Sequence, residues 1–182
     1  MTSKDNDPGT KPIRVFFAIV PTQSVQKQLA HQAKLLEPLC GGRKTKMPHF
    51  HLTLVFLGDV CVQRIETLRQ IMKKLSAKKF SLALDQVSYW KHNQIVYLHA
   101  KQFPVELFAL ADALQTMLLE AGFTFDHRIY KPHITLFRKA THPVNMDLIN
   151  PIHWPVNQWS LLQSKPAPAG VDYVPLGHWR LK

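Results

Sequence analysis

The chain has 182 residues, 46% of them apolar, and its 23 Lys and Arg residues outnumber the 12 Asp and Glu residues, which gives a formal net charge of +11. This composition is typical of a globular protein with a sizeable core, and no run approaches the roughly 20 apolar residues of a membrane-spanning helix. The excess of positive charge predicts a polyanionic partner such as RNA.

The start of the chain and its cysteines bear on the cellular compartment. Residues 1–9 are polar and lack the apolar core of a signal peptide, and residues 1–12 are expected to form a flexible tail. Cys40 and Cys61 are the two cysteines, and they lack Cys-x-x-Cys spacing, so neither a disulfide framework nor a thiolate zinc site is indicated. We therefore expect a cytoplasmic protein that does not associate with membranes.

The first half of the chain alternates strands and helices. Residues 14–20 are a short run of β-forming residues, and Thr22 is placed to cap the helix that the apolar spacing predicts for residues 25–39. A Gly-Gly pair ends that helix, and a basic run follows before the next strand. A second amphipathic helix is predicted for residues 62–75.

The second half contains a strand pair, a third helix and further strands. Residues 80–84 and 94–99 are typical of two strands joined by a turn, and residues 105–120 are typical of a helix. One more strand follows this helix, and residues 159–163 and 171–181 predict the last two. A strand and helix unit is thus roughly repeated along the chain.

This order predicts an α+β fold in a single domain that spans residues 1–182. We expect two pseudo-symmetric lobes, each a mainly antiparallel sheet with helices on its outer face. No linker separates the lobes into independent domains.

One tetrapeptide occurs twice. His51-Leu52-Thr53-Leu54 is matched 82 residues later by His133-Ile134-Thr135-Leu136, and a proline precedes each copy. Because side chains alternate along a strand, the histidine and threonine of each copy share one face and the aliphatic residues share the other. Two such motifs lining a central cleft would supply two imidazoles and two hydroxyls, which suit acid and base catalysis at a phosphate.

The motifs and their flanks resemble the 2H phosphoesterase superfamily. The flanking residues that carry the resemblance are Leu57-Gly58, Lys131-Pro132, Arg138, Ser164 and Gly170-Val171-Asp172-Tyr173. Within the superfamily, residues 14–179 are most similar to the RNA 2′,3′-cyclic phosphodiesterases, also described as 2′-5′ RNA ligases. Lys131 departs from the common Arg at its position, which keeps the charge but loses the planar fork of donors.

The resemblance implies hydrolysis of a terminal 2′,3′-cyclic phosphate to a 2′-phosphomonoester without a metal or other cofactor, with reverse 2′-5′ ligation permitted. It assigns His51 as the proton donor to the 3′ oxygen and His133 as the proton acceptor that activates water. Thr53 and Thr135 are then expected to donate hydrogen bonds to the non-bridging oxygens. The expected partner is RNA with a 2′,3′-cyclic phosphate end, such as a tRNA fragment, and the expected state is a monomer.

Five further residues are expected to contact the substrate. Arg138 lies five residues after the second motif histidine, an odd spacing that puts it on the opposite face of an ideal strand, so it must reach the phosphate from a strand end or a bend. Phe56 and Tyr130 are candidates to stack on the terminal base, although core burial is an equal alternative for Phe56. Lys131 and Arg43 supply positive charge beside the motifs.

Three alternative functions stay open. In a metal hydrolase, His49 and His51 would place two imidazoles on one strand face, but no acidic residue is near them in sequence. A phosphodiesterase could act instead on a small cyclic nucleotide such as ADP-ribose 1″,2″-cyclic phosphate. The third alternative is a non-catalytic module that binds RNA or nucleotides. Paired histidines and threonines count against it, because Arg and Lys serve phosphate binding better.

Overall fold

Strands and helices of an α+β fold make up the computed structural model, which describes residues 11–126, 128–168 and 170–182. The strands are β1 (Ile13–Ile19), β2 (Arg43–Lys44), β3 (Leu52–Val60), β4 (Phe80–Trp90), β5 (Ile95–His99), β6 (Ile134–Arg138), β7 (Met146–Val156), β8 (Gln158–Ala167) and β9 (Gly170–Arg180). The helices are α1 (Gln23–Cys40), α2 (Ile65–Met72) and α3 (Val105–Glu120), with short 3-10 turns at Met47–His49 and Val62–Arg64. Residues 1–10 of the predicted tail lie outside the described residues.

The strands form two antiparallel sheets with matching strand orders. The first sheet has the order β3-β1-β8-β9, and the second has the order β2-β6-β5-β4-β7. In each sheet the strand with a motif threonine, β3 or β6, pairs with the strand that leads to it through a helix, β1 or β5. Two further strands follow on the far side of β1 and of β5, and the second sheet has the short β2 as an additional edge strand beside β6. The predicted pair of pseudo-symmetric lobes is therefore confirmed, with one sheet in each lobe.

Each connecting helix packs on the sheet of the other lobe. Helix α1 follows β1 of the first sheet but contacts β6 and β7 of the second, whereas α3 follows β5 of the second sheet and contacts β3 of the first. Helix α2 packs against α3. Separating the lobes would expose the buried apolar faces of these helices.

Helix α1 is capped where the sequence predicts. The Thr22 Oγ1 accepts a hydrogen bond from the Val25 N–H at 3.5 Å, and Gly41 ends the helix with a φ of +59°. The predicted helix over residues 62–75 is shorter than expected, because its first turn is the 3-10 turn Val62–Arg64 and α2 ends at Met72.

Strand β7 was not predicted, since its Pro151 and Pro155 are signals that usually mark loops. The strand lies at one end of the second sheet and pairs with β4 alone, and an edge position tolerates the missing proline N–H groups. The alternation of a half-buried strand is nevertheless present, because Ile152, Trp154 and Val156 are buried between exposed neighbours. Strand β4 is also longer than predicted and reaches Trp90.

The main hydrophobic core draws on both sheets and all three helices. A second, small cluster of Phe16, Ala18 and Leu162 lies apart from it, with Val20 and Tyr173 packed against it. None of the helices in the described ranges has the length and hydropathy of a transmembrane segment.

Candidate active site

The two motif histidines are held by the same backbone contact. His51 and His133 each lie one residue before the first residue of a strand, slightly earlier than predicted. The Nδ1 of His51 is 2.7 Å from the carbonyl oxygen of His49, and the Nδ1 of His133 is 2.8 Å from that of Lys131. A carbonyl oxygen only accepts, so each Nδ1 carries the hydrogen and each neutral ring presents its Nε2 as a free acceptor.

The motif threonines follow on the same strand faces as the histidines. Thr53 and Thr135 are half-buried, while the aliphatic residues on either side of each are buried, with exposures of 0–2%. This pattern is the predicted alternation, with the polar side chains on one face and the aliphatic ones in the core.

A β-bulge brings Arg138 to the same face as His133. Tyr97 and Val96, which are consecutive in β5, lie opposite Thr135 and Phe137. Leu136 is therefore an extra residue without a partner position on β5, which defines a β-bulge. Leu136 and Phe137 are consecutive and fully buried, and Arg138 is exposed. This bulge is the bend that the sequence required. It places Arg138 on the face of His133, whereas the odd spacing in a regular strand would place it on the opposite face.

Strand β3 carries the same bulge. Neighbouring residues of β1 lie opposite Thr53 and Val55, so Leu54 is the extra residue. Phe56 is 39% exposed beyond it and shares the face of His51, as Arg138 does in the other lobe. The Phe56 ring is stacked 6.2 Å from that of Phe16 and lies below the Arg14 guanidinium at 5.1 Å. The Phe56 side chain is thus directed out of the core, with the Arg14 guanidinium over its ring.

A cleft of about 130 Å³ is lined by residues of both lobes. The first lobe contributes His49, His51 and Tyr173, and the second contributes Thr135 and Arg138. Additional positive side chains come from the predicted basic run, of which Arg43, Lys44 and Lys46 line the cleft. Because of its size and charge, this cleft suits a phosphate group and its immediate substituents.

We call Arg43, Lys44 and Lys46 the basic wall of the cleft, and the first two of these residues form the short strand β2. Arg43 pairs with Arg138 across the β2 and β6 ladder. Gly42 permits this approach, since it has a φ of +82° and a Cβ there would lie 2.6 Å from the backbone oxygen of Lys139. The Lys44 Nζ is 2.5 Å from the Glu37 carboxylate, so its charge is already paired.

Aromatic rings pack against both motif histidines. His51 lies 5.1 Å from the Phe16 ring and 4.9 Å, edge to face, from that of Tyr173. His133 lies 4.6 Å from the Trp90 ring and 5.6 Å from that of Tyr97, again edge to face. These four aromatic residues were not among the predicted site residues. They come from other strands, and only the sheet register brings them to the motifs.

The pKa values of both motif histidines are lowered. Burial is the main cause for each, partly offset by the hydrogen bond to the backbone, and the positive charge of Arg138 lowers both further. The pKa of His51 falls to about 4, and that of His133 is also below its ordinary value of 6.5. In the free protein at neutral pH both imidazoles are therefore mostly neutral. An anionic phosphate beside them would favour the protonated form.

The residues that line the cleft of about 130 Å³ do not include five of the predicted site residues, namely Thr53, Phe56, Tyr130, Lys131 and His133. The Tyr130 ring is packed on the core, 6.0 Å from the ring of Phe108 on α3, and its buried hydroxyl has no hydrogen-bond partner among the described residues. Burial raises the pKa of that hydroxyl. The prediction of base stacking by Tyr130 is not supported by this position. Lys131 contributes its backbone carbonyl to His133, while its side chain is exposed.

Within the described residues, no group of three or more His, Cys, Asp or Glu side chains is arranged to hold a metal ion. His49 has an acidic neighbour that the sequence did not reveal, because its Nε2 lies 3.7 Å from Asp172 Oδ1.

Comparison with known proteins gives consistent matches. The family described as LigT-like phosphoesterase matches residues 19–97. The RNA 2′,3′-cyclic phosphodiesterase of Escherichia coli (strain K12) is 30% identical over 174 residues, covering 94% of this chain and 98% of the relative. The protein of the same name from Thermotoga maritima is 28% identical over 172 residues, covering 88% and 91%. The crystal structure of E. coli LigT complexed with 3′-AMP superimposes with a TM-score of 0.86 at 30% identity, covering 93% of this chain and 98% of that one.

Proposed function

Because this chain belongs to the LigT-like phosphoesterase family of the 2H superfamily and is thus an enzyme of phosphoester chemistry, we propose that it hydrolyses RNA 2′,3′-cyclic phosphate ends to 2′-phosphomonoesters. The E. coli relative is named for this substrate. E. coli LigT was crystallised with 3′-AMP, whose phosphate is attached to one of the two ribose oxygens that the cyclic ester bridges. The observation that carries the proposal is the pair of histidines with equivalent backbone contacts, one from each lobe.

The two histidines divide the proton transfers. His133 accepts a proton from the attacking water on its free Nε2, and His51, protonated in the complex, donates one from Nε2 to the departing 3′ oxygen. Water enters and the 3′ oxygen leaves on opposite sides of the phosphorus, so an acid and a base from opposite lobes suit the geometry. Proton transfer between side chains and substrate needs no metal ion.

Arg138 and the two threonines hold the phosphate. Arg138 offers a planar fork of donors to two non-bridging oxygens, and its place in the cleft beside Thr135 supports this role. Hydroxyl donors from Thr53 and Thr135 add hydrogen bonds that strengthen as negative charge grows on these oxygens. The phosphate charge would also raise the pKa of the acid histidine, whose protonation the step requires.

The RNA chain contacts the two remaining predicted residues. Phe56 stacks on the terminal base, since its ring is partly exposed and directed out of the core. Arg43, with the other positive side chains of the basic wall, follows the phosphates on the 5′ side of the terminal nucleotide. We also propose that the enzyme acts in the cytoplasm, and that it acts as a monomer because one chain supplies both lobes of the cleft.

The test is product analysis on a short RNA that ends in a 2′,3′-cyclic phosphate, with EDTA present. We expect a 2′-phosphate, and a 3′-phosphate product would overturn the assigned leaving group. His51→Asn and His133→Asn should each lower the rate by ~10² to 10⁴, while His153→Asn, at an exposed position on β7, should keep it. An unchanged rate in either motif variant would reject the catalytic pair.

A further inference from the structure

The second sheet carries polar and aromatic residues beside the proposed catalytic base. Tyr97 of β5 lies opposite Thr135, and Ser88 of β4 lies opposite Tyr97. Trp90 and His99 are each two residues along their strands from Ser88 and Tyr97. Residues opposite each other, or two apart on one strand, share a face. All four side chains therefore share the face of Thr135, which lines the cleft.

Two of these residues form an aromatic surface that we call the Trp90 wall, consisting of Trp90 and Tyr97. Their ring centroids are 4.1 Å apart with an angle of 34° between the planes, and both side chains are half-buried. Each meets the His133 ring edge to face. Because both side chains are only half-buried, part of their aromatic surface is open to a planar ligand. Covering this surface would be favourable, since exposed aromatic area is costly in water.

Polar groups continue the same face. The Nδ1 of His99 is 3.1 Å from the Ala100 carbonyl oxygen and carries the hydrogen, so its Nε2 accepts from the Ser88 hydroxyl at 3.0 Å. The Ser88 oxygen keeps acceptor capacity for another donor. An aromatic surface with a nearby acceptor matches the face and the amino edge of a nucleobase.

The first lobe lacks such a surface at the equivalent place. Ala18 lies opposite Thr53 as Tyr97 lies opposite Thr135, and its neighbours Phe16 and Leu162 are 3% and 4% exposed. These residues form the small closed cluster under Tyr173. The pseudo-symmetry thus relates a closed apolar face in the first lobe to a half-open aromatic face in the second.

We propose that the Trp90 wall is a subsite for a second nucleoside, which delivers its 5′-hydroxyl to the phosphorus from the side of His133. This inference rests on the proposed function, because it uses the same acid and base. The hydroxyl oxygen bonds to phosphorus, its proton passes to the His133 Nε2, the bond from phosphorus to the 3′ oxygen breaks, and His51 protonates that oxygen. The product is a 2′-5′ phosphodiester, formed in competition with attack by water.

The location of the wall accounts for this role. The nucleophile must enter opposite the departing 3′ oxygen, which is the side of His133. Its nucleoside therefore lies in the second lobe, away from the terminal nucleobase that Phe56 contacts in the first lobe. The Trp90 wall touches the ring that would take the nucleophile's proton. The donor and acceptor bases thus occupy the two lobes separately.

The test compares acceptors with and without a base. Adenosine 2′,3′-cyclic phosphate is incubated with the enzyme and either adenosine or methyl β-D-ribofuranoside, and 2′-AMP is separated from the 2′-5′ transfer product. For each acceptor, the ratio of transfer to hydrolysis is independent of the overall rate. We expect adenosine to give a ratio about 10-fold or more above that of the riboside, as stacking of one base predicts.

Variants at Trp90 test whether the preference for adenosine as acceptor depends on the Trp90 wall. Trp90→Leu should bring the two acceptors within about twofold of each other, while Trp90→Phe, which retains a ring, should keep most of the preference. Phe56→Leu serves as the control. Binding of the cyclic phosphate donor comes before both hydrolysis and transfer, so weaker donor binding should leave the ratio of the two products unchanged. Equal acceptors in the unmodified enzyme, or a preference that survives Trp90→Leu, would overturn the proposal.

The wall could instead bind the donor RNA, and kinetics with two donors distinguish the two roles. If Trp90→Leu raises KM for a dinucleotide donor more than for the cyclic mononucleotide and leaves the acceptor preference intact, the wall holds the donor chain and the proposal is wrong. Hydrolysis to 2′-AMP without any transfer would refute the acceptor subsite alone. If hydrolysis is also absent, the proposed function fails together with the inference.

Discussion

Phe56 and Arg138 occupy equivalent positions in the two lobes, each five residues after its motif histidine and each returned to the cleft face by a single bulge. One position offers a flat apolar ring and the other a planar cation. The two lobes therefore present different chemistry at this position, although the backbones that carry it are alike. With the roles proposed for Phe56 and Arg138, this asymmetry would let a nearly symmetric fold distinguish the nucleoside side of its substrate from the phosphate side.

Loss of Arg138 should impair the chemical step. We expect Arg138→Ala to lower kcat/KM by ~10² to 10³, the usual effect of removing one preorganised donor to a developing charge. Arg138→Lys should recover only part of the loss, because an ammonium lacks the planar fork. Arg180→Ala, at the exposed end of β9, is the matched control. Equal rates for Arg138→Ala and Arg180→Ala would exclude the phosphate role.

The pH dependence of kcat/KM should reflect the lowered histidine pKa values. This parameter reports the free enzyme, in which one imidazole must be protonated and the other neutral. The singly protonated form is most abundant between the two pKa values, one about 4 and the other below 6.5, so the optimum should lie below pH 6.5. Arg138→Ala removes one cause of both shifts and should move the optimum upward. An optimum of the unmodified enzyme at pH 8 would contradict the prediction.

The same shifts predict a loss of stability in acid. Between pH 6.5 and about 4, His51 is protonated in the unfolded chain but stays neutral in the folded protein. The contribution of His51 to the free energy of unfolding is therefore complete above pH 6.5 and is lost as the pH falls toward 4. From pH 7.5 to 5 the loss due to His51 should be at most about 2 kcal/mol. Urea unfolding of His51→Asn should show a smaller difference between the two pH values than the unmodified protein shows. The exposed variant His153→Asn should match the unmodified protein, and identical differences in all three would refute the burial argument.

Features of the site that depend on one strand alone could be predicted from the sequence, whereas features that depend on pairing between strands could not. The histidines and threonines were predictable because alternation along one strand is a local property, and the structure has the expected faces. The position of Arg138 required a bend, but the bulge at Leu136 depends on pairing with β5 and has no local sequence signature. Register and edge position are properties of the assembled sheet.

The aromatic surroundings were missed for a related reason. Trp90 and Tyr97 lie far from His133 in sequence, and only the order of β4, β5 and β6 brings them to it. Tyr130, by contrast, is three residues from His133, yet its ring packs on the core and lies 6.0 Å from that of Phe108 on α3. Proximity in sequence was thus a poor guide to the composition of the site outside the motifs.

Charge on the basic wall should determine the salt dependence of RNA binding, and the ion pair of Lys44 makes that prediction specific. Arg43→Ala and Lys46→Ala should each reduce the slope of log K against log salt by about 1, because each removes one phosphate contact. Lys44→Ala should change the slope less, since the Lys44 ammonium is already paired with Glu37. Titrations of a labelled RNA with the catalytically impaired His133→Asn background, at several salt concentrations, measure these slopes without turnover. A slope change for Lys44→Ala as large as that for Arg43→Ala would show that the ion pair opens when RNA binds, and unchanged slopes in all three variants would place the RNA path away from β2.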